Sequence, residues 1–87
     1  MSLAAYQLFC TIADEGNMRR AAELLHITPS AATHAMNALE KELGFLLLNR
    51  DRGGVTLTTQ GEQLLPRFRA VLQEEEKLQE EIAQIHG

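Results

Sequence analysis

Cysteine, proline and aromatic residues are scarce in this chain, and it carries no excess of positive charge: 87 residues include one cysteine, two prolines, no tryptophan and one tyrosine. The single thiol, Cys10, excludes an internal disulfide. It lies inside an apolar helical pattern, so it reads as a small buried hydrophobe and not as a reactive centre. His26, His34 and His86 lie far apart and none has a metal-ligand spacing with Cys10, so no metal site is expected. No apolar run approaches the roughly 20 residues that a spanning helix needs, so no membrane partner is expected. A basic stretch followed by an apolar one, the mark of a secretory signal, is also missing, and the expected compartment is the cytoplasm. There is no nucleophile–base pair, phosphate loop or carboxylate dyad, so the reading is of a protein that is not an enzyme and uses no cofactor.

Twelve acidic residues outnumber eight basic ones, a net charge of −4, which weighs against a nucleic-acid partner because phosphate contacts draw on basic surface. The distribution softens this objection. Residues 1–58 hold five basic and six acidic side chains, whereas residues 59–87 hold three and six, so the acidity is concentrated in the tail. Four arginines, Arg19, Arg20, Arg50 and Arg52, fall in the first part. The length fits one domain, small enough for a partner subunit to add materially to its core.

Leu3, Tyr6, Phe9, Ile12 and Ala13 recur at helical spacing, with Ser2 as N-cap and Gly16 as the stop. A second helix opens at the N-cap Asn17 and runs through MRRAAELLH, with Ala21, Ala22, Leu24 and Leu25 inward. After a break at His26-Ile27, Thr28-Pro29 supplies an N-cap and an N1 proline for a third helix. Ala32, Met36, Leu39 and Leu43 form its apolar stripe, and Gly44 ends it. Two short helices joined by a tight break, with alanines where they cross, form a helix-turn-helix, because steeply crossing axes need small side chains to approach. FLLLNR and VTLT then flank Asp51-Arg52-Gly53-Gly54 as a β-hairpin, a wing. Thr59 and Glu62 form a capping box for a last helix, with Thr58 as a competing cap.

That last helix carries Leu64, Phe68, Val71, Leu78, Ile82 and Ile85 on a heptad seam, with Glu75 in the one polar gap. At 1.5 Å per residue it extends roughly 40 Å, more than a small head can cover. Leu64 and Phe68 are within reach of the head; Leu78, Ile82 and Ile85 are not. A homodimer through this helix is therefore expected, its orientation left open by the heptad alone. The fold class is mainly α with a small hairpin: a winged helix-turn-helix head over 1–58 and a long dimerisation helix over 59–87.

Ala21-Ala22, Leu25-His26-Ile27, Leu39-Glu40, Leu43-Gly44, Asn49-Arg50, Leu57-Thr58 and Gly61 together give the chain its resemblance to the N-terminal DNA-binding domain of LysR-type transcriptional regulators, from about Leu3 to the end. The resemblance implies duplex DNA as partner, antiparallel pairing of the long helices, and a separate effector domain following them. A small-molecule effector is expected only where such a domain exists. The family commonly has Gln-Pro where Pro29-Ser30 stand and Arg where His34 stands, so the resemblance extends to the fold further than to a typical operator.

Burying the stripe of the third helix turns Ser30, Thr33, His34, Asn37 and Lys41 outward. The helix N-terminus, with Thr28, Pro29 and Ser30, is suited to phosphate and base edges. Ser30 and Thr33 suit base edges, His34 suits guanine, and Asn37 suits a phosphate or an adenine. Arg19 and Arg20 are read as phosphate anchors, with an Arg19–Glu23 ion pair as rival. Arg52 at the wing tip suits a narrow minor groove. Arg50 is read either as a DNA contact or as an internal clamp on the wing, and His26 as a structural residue at a packed junction. The alternative function is a winged-helix module that docks on protein, consistent with the acidic net charge.

Overall fold

The computed structural model describes all of residues 1–87. The order is α1 Leu3–Glu15, α2 Met18–Leu24, α3 Pro29–Leu43, β1 Leu48–Asp51, β2 Gly54–Leu57 and α4 Thr59–His86. Helix boundaries follow their caps. Ser2, Asn17 and Thr28 each accept a backbone N–H three residues on, and Gly16 and Gly44 close α1 and α3 in the left-handed region.

α1 is the centre of the head, packed by α2, α3, α4 and β2. Its Phe9 and Ile12 are fully buried, as are Ala21 and Ala22 of α2 and Ala32 and Met36 of α3. The small side chains of Ala21, Ala22 and Ala32 let the helices approach closely within this core. Leu47, Leu48 and Phe68 complete the core. Phe68 stacks at a tilt on Tyr6 and meets Phe9 edge-on, at centroid distances of 4.8 and 5.3 Å. The proximal part of α4 therefore shares the head's core instead of starting a separate body.

Four local expectations change. α2 ends at Leu24, not His26, and Leu24 points out at 43% exposure. His26 is exposed and takes φ 59°, so its backbone, and not side-chain packing, makes the turn into α3. The hairpin is shorter than FLLLNR/VTLT: Leu48 pairs with Leu57 and Asp51 with Gly54, leaving a two-residue turn, Arg52-Gly53, with Phe45 and Leu46 outside the strand. Thr58, not Thr59, caps α4. Its hydroxyl accepts from the Gly61 N–H at 3.0 Å and donates to the Leu46 carbonyl at 2.7 Å, two bonds that Thr59 does not make.

Gly61 is buried where α4 crosses the chain after α3, and a Cβ there would collide with the Leu47 carbonyl oxygen. That carbonyl is fixed by the Thr58 N–H at 3.0 Å, so it has nowhere to move. Gly61→Ala should therefore destabilise the fold by about 1–3 kcal/mol in urea unfolding, although alanine gains up to about 1 kcal/mol in helix propensity. A neutral or stabilising result would mean that α4 is not seated so closely.

Arg69 of α4 holds Asp14 of α1 through a pair of bonds, the shorter 2.7 Å, and this hydrogen-bonded carboxylate raises the arginine's pKa further. Burial pushes the Cys10 thiol above its ordinary 9.0, which keeps it protonated and unreactive. Pro66 lies inside α4 on an exposed side, where water can serve the Glu62 carbonyl that lacks its intrahelical donor. No helix is long and apolar enough to cross a membrane.

Candidate nucleic-acid interface

The stripe of α3 faces the core. Ala32 and Met36 are fully buried, Leu39 is 2% exposed and Leu43 is half-buried. The opposite edge is open, and Pro29, Ser30, Thr33, His34 and Asn37 line one shallow recess with no apolar side chain in it other than the Pro29 ring. Thr28 has already spent one lone pair as N-cap, accepting from the Ala31 N–H at 3.0 Å, and its hydroxyl hydrogen stays available. Pro29 sits at N1, where its missing N–H costs nothing.

A second cleft opens beside the first, between the start of α2, α3 and the wing. Asn17, Met18, Arg19, Thr33, Arg50, Asp51 and Arg52 are among its lining residues, and Thr33 borders both recesses. The wing is steered to this place from two sides. The Val55 N–H donates to the Gly16 carbonyl at 3.3 Å, which ties β2 to the α1–α2 corner. Within the turn, Asp51 Oδ1 accepts from the Gly53 N–H at 2.9 Å, which fixes the loop that carries Arg52.

The residue that organises this surface is Glu40, whose role the sequence did not give away. Its side chain is 5% exposed, and one carboxylate oxygen accepts from the N–H groups of Leu47 and Leu48 at 2.7 and 3.1 Å. The other oxygen takes Arg50 Nη2 at 2.8 Å. Arg50 Nη1 in turn donates to Asn37 Oδ1 at 2.9 Å. A buried anion with three donors is satisfied, and here the donors come from the start of the wing. Glu40 thereby sets where β1 leaves α3. The available signal was its position: four residues after Met36 and next to Leu39, a carboxylate on the inner half of a helix needs a partner, and Arg50 is the first arginine beyond that helix.

The structure brings Ser30, Thr33, His34, Asn37, Arg19 and Arg52 to one face, and Arg50 lines the same cleft while bonded to Glu40 and Asn37. Arg20 stands apart from both recesses, within 3.7 Å of Glu15 and 3.5 Å of Glu23 at exposed positions. The ion pair with Glu23 is thus made by Arg20, and Arg19 makes none. Exposed pairs at such distances hold their partners weakly. No group of three or more His, Cys, Asp or Glu residues is placed to hold a metal ion.

Comparison with known proteins gives one consistent picture. Residues 3–62 match the family described as bacterial regulatory helix-turn-helix protein, lysR family. The uncharacterized HTH-type transcriptional regulator YvbU of Bacillus subtilis (strain 168) is 36% identical over 88 residues, covering 100% of this chain and 30% of its own length. TcbR of Pseudomonas sp. (strain P51), another HTH-type transcriptional regulator, is 37% identical over 73 residues, covering 84% of this chain and 25% of its own. The chain thus spans less than a third of these relatives. Among solved structures, the DNA-binding domain of CbnR in complex with DNA superposes with a TM-score of 0.91 at 31% identity, covering 100% of both chains. Full-length CbnR, a LysR family transcriptional regulator, gives 0.88 at 32% identity, covering 95% of this chain and 29% of that one.

Proposed function

Because the chain belongs to the LysR family of bacterial regulatory helix-turn-helix proteins, we propose that it is the duplex-reading portion of a transcription regulator, with α3 in the major groove and the wing beside it. The observation that carries this reading is the open polar edge of α3, continuous through Thr33 with the cleft that holds Arg19 and Arg52. In this reading Thr28, Pro29, Ser30, Thr33 and His34 meet bases or phosphates at the helix N-terminus, where the dipole favours an anion. Arg19 anchors phosphate, with a lesser share for Arg20, and Arg52 at the wing tip enters a narrow minor groove. Arg50 acts through the residues it holds. The compartment that suits such a partner is the cytoplasm. The protein-docking alternative has no observation in its favour beyond net charge, and the relatives are named as regulators of transcription.

The test is selection of random duplexes on the purified chain, followed by fluorescence anisotropy across a salt series. Enrichment of one motif, with affinity falling steeply as salt rises, supports the reading. No duplex retained at low salt would end it.

Dimerisation through α4 completes the proposal. Phe68 lies in the head's core at 8% exposure and Leu64 is half-buried, so the seam begins inside the head. Val71, Leu78, Ile82 and Ile85 are exposed at 43, 55, 38 and 85%, on a helix that runs out along a 48 Å molecule. The pair is taken as antiparallel, the orientation that the resemblance to the LysR-type family implies. Sedimentation equilibrium should find a dimer at micromolar concentration, and glutamate at Leu78 and Ile82 together should give a monomer with the head still folded. A wild-type monomer would contradict the pairing.

A further inference from the structure

We propose that Asn37 offers the duplex only its amide NH2, held in that orientation by Arg50, so that it recognises a hydrogen-bond acceptor (a phosphate oxygen or the N7/O6 edge of guanine) and does not form the bidentate N6/N7 pair with adenine. The inference rests on the reading of α3 as the groove-facing helix. Asn37 Oδ1 lies 2.9 Å from Arg50 Nη1. A guanidinium only donates, so the atom facing it must be the carbonyl oxygen, and the NH2 must occupy the other side of the amide plane. Turning the amide over would set donor against donor beside a positive charge.

Arg50 cannot easily release its hold. Its Nη2 is 2.8 Å from Glu40 Oε1, and that nearly buried carboxylate is pinned by the Leu47 and Leu48 amides. The chain of bonds runs from the base of the wing through Glu40 and Arg50 to the outer face of α3. Adenine is recognised by an Asn whose oxygen accepts from N6 while its nitrogen donates to N7. Here the oxygen is drawn toward the cleft that Arg50 lines, and the neighbouring cation disfavours an incoming amino group while favouring an acceptor at the NH2. The bidentate adenine contact that an isolated Asn37 suggests is therefore closed off by its neighbour, and Arg50 is a positioning residue for the NH2 contact that remains.

The experiment uses the whole 87-residue chain and the duplex it enriches from a random pool. Single phosphates are replaced by methylphosphonate, single guanines by 7-deazaguanine (which lacks N7) or 2-aminopurine (which lacks O6), and single adenines by purine lacking the 6-amino group. Wild type, Asn37→Ala and Arg50→Lys are titrated against each duplex. The expected result is one methylphosphonate or one guanine change that weakens wild type by about five- to tenfold and leaves Asn37→Ala indifferent to the same change. A methylphosphonate identifies the backbone as the source, and a guanine analogue identifies a base.

Arg50→Lys keeps a cation for Glu40 but gives up the second N–H. It should melt within about 5 °C of wild type and still lose the Asn37 coupling, a change that a purely structural role would not produce. Coupling of Asn37 to the adenine 6-amino group would overturn the proposal. So would an absence of coupling at every position, or a coupling that survives in Arg50→Lys. If wild type enriches no duplex, the DNA reading itself falls; wild-type binding without the coupling removes this inference alone.

Discussion

Glu40→Ala should destabilise the fold by about 3–5 kcal/mol, because it leaves two buried backbone N–H groups without an acceptor, at about 1–3 kcal/mol each. At roughly 4–8 °C per kcal/mol for a domain of this size, the melting temperature should fall by about 12 °C or more. The carboxylate is a shared acceptor for two backbone N–H groups and one guanidinium, and alanine would leave the Leu47 and Leu48 amides unpaired in the core. Arg50→Ala removes the other half of the pair and should cost less, about 1–2 kcal/mol. Arg50 is 31% exposed, and without it Glu40 keeps its two amide donors. Equal losses from the two variants, measured by thermal and urea unfolding, would mean that the carboxylate's importance lies in the ion pair and not in the strand it anchors. Because the damage is centred on the departure of β1 from α3, local hydrogen exchange should rise first at Leu47 and Leu48.

Replacing Arg19, Arg20 and Arg52 together by alanine should lower duplex affinity by about 100-fold or more at moderate salt and flatten its salt dependence, by about 0.9 in the log–log slope for each phosphate that is no longer neutralised. Arg19 is exposed and makes no ion pair, and Arg52 sits at the two-residue wing turn, so neither has a structural task that the substitution would disturb. Arg20 exchanges only loose, solvent-exposed partners, Glu15 and Glu23. Folding stability should thus stay within about 0.5 kcal/mol of wild type, as for surface changes away from a core. Unchanged affinity in this variant would favour a surface that docks on protein. Loss of affinity with α4 pairing intact would separate the duplex-reading face from the dimerisation helix.

Much of this architecture was legible in the residues because local rules and the global fold agree. Ser2, Asn17, Thr28, Gly16 and Gly44 announce where helices start and stop, and the α3 stripe fixes which face is left over for a ligand. What escaped was set by contacts between segments distant in sequence. The hairpin is short because Glu40 seizes the amides of Leu47 and Leu48 from outside, a bond across seven and eight residues that no strand pattern records. Thr58 outcompetes Thr59 as cap because the Leu46 carbonyl waits for its hydroxyl. The heptad count put Phe68 on the seam and its position put it within reach of the head; its contacts with the rings of Tyr6 and Phe9 seat it in the core. Asn37 and Arg50 were each readable as DNA contacts when taken singly; their mutual bond gives them different tasks.

The central claim is that the outward edge of α3 and the adjoining wing meet the duplex. Backbone amide chemical shifts of the labelled protein, followed as the enriched duplex is added, test it most directly. The account predicts large shifts at Ser30, Thr33, His34 and Asn37, with a second group at Arg19 and Arg52, while Leu78 to Ile85 on distal α4 stay unmoved. Shifts concentrated on α1 or on distal α4, with the α3 edge unchanged at saturation, would contradict it.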